Sequence, residues 1–121
     1  MGIPNEIEDD LSKWQKCIED FSQGNALLKY KLSEIVDSYE DKKFLLVAEY
    51  FQNELLLTDE ILKRLRSEVL EYSEMKQQGL IPIEKLNKKR STLKNNLLNF
   101  EKKFLRFSDD FNKKMKEEPW Y

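Results

Sequence analysis

The side chains in this chain that could do chemistry are carboxylates, lysines, one thiol and a run of phenylalanines; histidine is absent. Without histidine there is no Ser-His-Asp or Cys-His nucleophile and no His-ligated zinc. The Glu-x-x-His pairs by which helical di-iron bundles hold metal are missing too. The three glycines stand apart at positions 2, 24 and 79, so no glycine-rich phosphate cradle is present. Cys17, beside Ile18 and followed by acidic Glu19 and Asp20, reads as a plain half-buried cysteine rather than a reactive thiolate. Acid–base catalysis by Glu49, Glu54, Asp59 or Glu60 would need a pair of carboxylates held in a low-dielectric site. A solvated helix face accounts for all four. The expectation is a non-enzymatic chain with no catalytic residue, cofactor or metal.

Two further clusters could bind rather than react. Phe100, Phe104, Phe107 and Phe111 recur at helical spacing and could line a small apolar ligand, making the chain a sensor or binding bundle. Aromatic stripes at that spacing more often pack a core. The stretch EKLNKKRSTLK, residues 84 to 94, could present Lys85, Lys88, Lys89 and Lys94 to the phosphates of a nucleic acid. It lacks interleaved aromatics, and the whole chain carries a net charge of −2, so nucleic acid is the weaker alternative.

These groups must be positioned by helices. Of the 121 residues, 40% are apolar and 36% charged, with three Gly and three Pro, a balance typical of long helices. Asn5 with Glu8 forms a capping-box pattern for helix 1, and Glu6, Asp9 and Asp10 suit its positive end. Ile7, Leu11, Trp14, Ile18, Phe21, Leu28, Leu32, Ile35 and Tyr39 then follow at alternating steps of four and three. Asn25 falls on a seam position of this pattern. A seam Asn can fix register and partner choice; beside Gly24 it could equally serve a local bend or break. Because the register stays in phase across SQGN, helix 1 is expected to be unbroken, with Gly24 as a possible kink.

The phase slips between Tyr39 and Phe44, and Ser38 with Asp41 makes a second capping-box pattern, so a tight reversal is expected near 37–42. Helix 2 carries Phe44, Ala48, Phe51, Leu55, Thr58, Leu62, Leu65, Val69 and Tyr72 in one seam. Gly79 and Pro82 punctuate its end and the next start. Helix 3 carries Leu86, Leu93, Leu97 and the phenylalanines, with Arg90 in the seam expected to extend its head group to water. The expected fold is all-α, an elongated antiparallel up-down-up three-helix bundle with coiled-coil-like seams, over helices at about 5–37, 39–78 and 83–117. It is expected to fill residues 1–121 as a single domain. Residues 5–41 hold ten acidic and four basic residues, and residues 79–121 hold six acidic and eleven basic. An acidic helix 1 beside a parallel, basic helix 3 suits that topology. Trp14 in the seam of an elongated three-helix bundle resembles a spectrin-type repeat in outline, a likeness of fold that transfers no function.

Helix 2 has more apolar residues than one stripe accommodates. With Ala48 at heptad position a, Leu46 is f, Tyr50 and Leu57 are c, Leu56 is b and Ile61 is g, and positions b, c and f face water in a monomeric bundle. Leu46, Tyr50, Leu56, Leu57 and Ile61 are therefore expected to form one continuous apolar patch, the contact surface of a homodimer. Coverage of this face by another helix of the same chain is the competing reading. Nothing suggests a membrane: no apolar run approaches the roughly 20 residues a span needs. The start MGIPNEIEDD lacks the pattern of a secretory signal, and the lone cysteine favours a reducing compartment, so a cytoplasmic setting is expected. The function expected is thus a helical protein–protein interaction module that pairs with itself and presents long helical faces to another protein.

Overall fold

A computed structural model describes the backbone of residues 3–38 and 42–116 and the side chains of 10–38 and 42–116. Three helices occupy these residues: α1 (Ile3–Ser38), α2 (Lys42–Gln78) and α3 (Ile83–Lys116). At 1.5 Å per residue each is about 50 Å long. Contacts along their lengths set the directions. Trp14 near the start of α1 meets Tyr72 near the end of α2, and Phe51 near the start of α2 meets Phe111 near the end of α3. Asp10 of α1 binds Arg90 of α3, and Phe21 meets Phe100, so α1 and α3 run parallel. The all-α, up-down-up three-helix bundle is the observed fold.

The core follows the heptad spacing of the sequence. Trp14, Ile18, Leu28 and Leu32 from α1, the seam of α2 from Phe44 to Tyr72, and Leu93, Leu97, Phe100, Phe104 and Phe111 from α3 are buried together. Aromatic rings dominate the side where α1 faces α3. Phe21 meets Phe100 and Phe104 edge-on at 5.1 and 5.5 Å, and Phe100 stacks on Phe104 at 5.8 Å.

The punctuation was legible at the second turn. Gly79, just past α2, has φ of +69°, the left-handed conformation that glycine adopts at a helix end without a Cβ penalty. The Pro82 carbonyl accepts from Lys85 N at 3.0 Å and Leu86 N at 3.2 Å, so Pro82 caps α3. At the amino terminus α1 is described from Ile3, two residues ahead of Asn5, so the backbone of Asn5 lies inside the first turn rather than at its edge. Ser38 is the last described residue of α1, where its Oγ donates back to the Glu34 carbonyl at 3.2 Å; α2 is described from Lys42, and the expected start at 39 lies outside the described residues. Ser38 thus bonds back into α1, and Asp41, the other half of the second capping-box pattern, lies outside the described residues.

Gly24 does not break α1, which is continuous through it. Its value lies in packing: a Cβ at that position would sit 3.4 Å from Phe104 Cζ. Gly24→Ala should be neutral to stabilising, because about 1 kcal/mol of helix propensity is gained against a contact at the edge of comfort. Gly24→Leu should cost about 1–3 kcal/mol by overpacking the Phe104 ring. Thermal melts of the two variants check both signs.

Candidate interaction surface

Two features could carry function: a polar network between α1 and α2, and the outward face of α2. The network starts at Asn25, which is fully buried. Its Nδ2 donates to the Leu55 carbonyl at 3.0 Å and to Asp59 Oδ1 at 2.8 Å, and Lys29 Nζ binds the other Asp59 oxygen. Both partners of the Asn25 amide are acceptors, which fixes the nitrogen toward α2. The Asn25 oxygen is buried and has no hydrogen-bond partner. Burying an unpaired acceptor costs roughly 1–3 kcal/mol. Asn25 is thus a long-range tie between α1 and α2 rather than a local cap. Asp59 is likewise no solvated bystander, since it joins Asn25 and Lys29 across the helix pair. The signal for it was geometric. A reversal near residue 40 brings residues equally distant from it together, and Asn25 and Leu55 lie fifteen positions on either side.

A second tie closes the far end. Arg90 stays partly exposed while it ties two helices: its Nε donates to Asp10 Oδ2 at 2.8 Å and its second guanidinium nitrogen binds the same oxygen, joining acidic α1 to basic α3. Beneath the pair lies Tyr72, 2% exposed and packed 5.8 Å from Trp14. Burial raises the Tyr72 phenol above its usual value of 10.0; Arg90 opposes this and Asp10 adds to it. Unfolded, the phenol ionises near pH 10 while the folded one stays protonated, so the unfolded state binds fewer protons and stability falls as pH rises past about 10. Tyr72→Phe should therefore flatten the decline in melting temperature between pH 9 and 11. An unchanged decline would assign it to other groups.

The expected patch on α2 is split by the neighbouring helices. Leu46, Tyr50, Leu56 and Leu57 are 69, 58, 52 and 56% exposed. Ile61 is not part of the open face. It is half-buried, packs against the core and lines the α2–α3 groove with Phe100 and Asn96. Leu56 leans the other way and lines a groove with Leu32 and Val36 of α1. Leu46 and Leu57 form the outward ridge, which no described helix of the chain covers; Tyr50, also mostly exposed, stands at its edge, where it borders the α2–α3 groove with Phe107 and Asp110. Tyr50 is braced by an edge contact to Phe51 at 5.3 Å.

The other candidate groups are largely engaged in structure. Phe51 meets Phe107 at 5.8 Å and Phe111 at 5.2 Å, so the α3 phenylalanines fill space against one another and against α1 and α2. In the basic stretch of α3, Lys89 pairs with Glu71 at 3.4 Å and Arg90 with Asp10, while Lys85, Lys88 and Lys94 are exposed. Cys17 is a half-buried free thiol, and among the described residues no helix is long and apolar enough to cross a membrane. Neither a family model, a curated protein nor a solved structure matches this chain.

Proposed function

We propose that this protein is a non-enzymatic helical interaction module that self-associates through the outward face of α2. One observation carries the reading: Leu46, Tyr50 and Leu57 stand more than half exposed on the side of α2 opposite its buried seam. Large apolar side chains gathered on one helix face mark protein contacts more often than isolated ones do. A twofold axis lets one such face satisfy itself, so a second copy is the simplest partner. The polar ties at Asn25 and Arg90 support this, because a bundle held in one alignment presents its outer faces rigidly.

A protein partner is favoured over a small apolar ligand because the α3 phenylalanines already contact one another. It is favoured over nucleic acid because Lys89 and Arg90 are tied to carboxylates. A cytoplasmic setting goes with the reading, since the single cysteine has no intrachain partner for a disulfide. Light scattering after size exclusion tests the proposal. Wild-type mass should fall on dilution, whereas Leu57→Glu should run as a monomer throughout with its helical signal kept. Identical, concentration-independent masses for both proteins would overturn it.

A further inference from the structure

The ridge of α2 belongs to a longer row. Positions 43, 46, 50, 53, 57, 60 and 64 follow one another at alternating steps of three and four, a second heptad seam on the back of the helix. It reads Lys, Leu, Tyr, Asn, Leu, Glu, Arg, and every one of these residues is exposed. Such a row can pair with a copy of itself in only a few ways, and its charges distinguish them.

A parallel pair would set Lys43 against Lys43, Glu60 against Glu60 and Arg64 against Arg64, like charges directly opposed. An antiparallel pair with Leu46 opposite Leu57 sets Tyr50 opposite Asn53 and Lys43 opposite Glu60, and each match occurs twice by symmetry. Sliding this pair by one heptad in one direction puts Leu46 against Arg64 and Tyr50 against Glu60. Sliding it in the other puts Leu46 against Tyr50 but Lys43 against Asn53, with no pairing of basic with acidic along the row. Only the first antiparallel register matches apolar with apolar and basic with acidic. Its cost is that Lys42 and Lys63 meet at one edge, where long side chains can swing apart into water.

We propose that two copies of this chain join α2 to α2 antiparallel, about a twofold axis at the level of Phe51 and Gln52, with Leu46 against the partner's Leu57 and Lys43 paired to the partner's Glu60. This deepens the self-association reading and rests on it. The two Lys43–Glu60 pairs, one at each end, select the antiparallel direction, and the leucine layers between them exclude water. Tyr50 and Asn53 flank the axis, close enough for the phenol and the amide to bond across it.

Charge reversal and thiol cross-linking test the register together. Lys43→Glu and Glu60→Lys should each weaken dimerisation about tenfold, since each opposes like charges at both ends of the contact. The double variant should restore it. In a Cys17→Ser background, Leu46→Cys protein mixed with Leu57→Cys protein should be joined by a short bis-maleimide, while neither alone should link to itself. A wild-type dimer in which Leu46→Cys links to its own copy would overturn the antiparallel register and leave self-association standing. So would a dimer indifferent to all three charge variants. A wild type that does not dimerise would overturn both.

Discussion

Asn25→Asp should destabilise the bundle by about 3 kcal/mol or more at neutral pH. The exchange is nearly isosteric, so packing changes little and the effect isolates the polar network. The native amide nitrogen donates to the Leu55 carbonyl and to Asp59. A carboxylate at the same place donates nothing, and it sets a second negative charge beside Asp59 in a fully buried position. Lys29 can neutralise only one of the two. The new carboxyl should respond by binding a proton more tightly than an exposed one, because burial and the like charge both disfavour its ionised form. Its folded-state affinity is then above the unfolded value, so the folded state holds more protons and the variant gains stability as pH falls toward the ordinary carboxylate range. The loss should be largest near pH 7 and should shrink near pH 4, as measured by chemical denaturation at the two pH values. Asn25→Leu should move the other way: it removes the orphaned oxygen, leaves Asp59 paired with Lys29, and should raise the melting temperature while loosening the alignment of α1 on α2.

Leu57→Glu should abolish self-association with little effect on the fold. Burying a leucine is worth about 2 kcal/mol, and the twofold axis counts each change twice, so the loss is about 4 kcal/mol, or roughly a thousandfold in the dissociation constant. The cost of desolvating two carboxylates adds to this. Leu57 faces away from the seam of α2, so the isolated bundle should keep its helical content and melt at a temperature set by its own core. Leu46→Glu should behave in the same way. Ile61→Glu should differ: it should lower stability directly, because Ile61 packs against the core rather than standing on the open face.

The helices and their directions were legible because period, charge and turn length all pointed to one topology. Steps of three and four from Phe44 to Tyr72 marked the seam of α2 that is buried. Acidic α1 and basic α3 announced their parallel contact, which Asp10 and Arg90 make. The ends were less legible, since Asn5 and Ser38 are cap-forming residue types that can also lie within or close a helix, and local pattern does not say which. The ties between helices were hidden for another reason. Asn25 and Asp59 are 34 residues apart, and Asp10 and Arg90 are 80 apart, so their pairing depends on the reversal points and on which side of the seam each side chain leaves. The apolar patch was legible as a composition but not as a shape. Neighbouring helices take Leu56 to one groove and Ile61 and the edge of Tyr50 to the other, and leave Leu46 and Leu57 between them.

Sedimentation equilibrium of the wild-type protein at tens of micromolar, a concentration range that populates complexes of moderate affinity, tests self-association most directly. The account predicts a mass close to twice the 14.6 kDa of the chain, falling toward 14.6 kDa on dilution. A mass of 14.6 kDa across the whole range would contradict it.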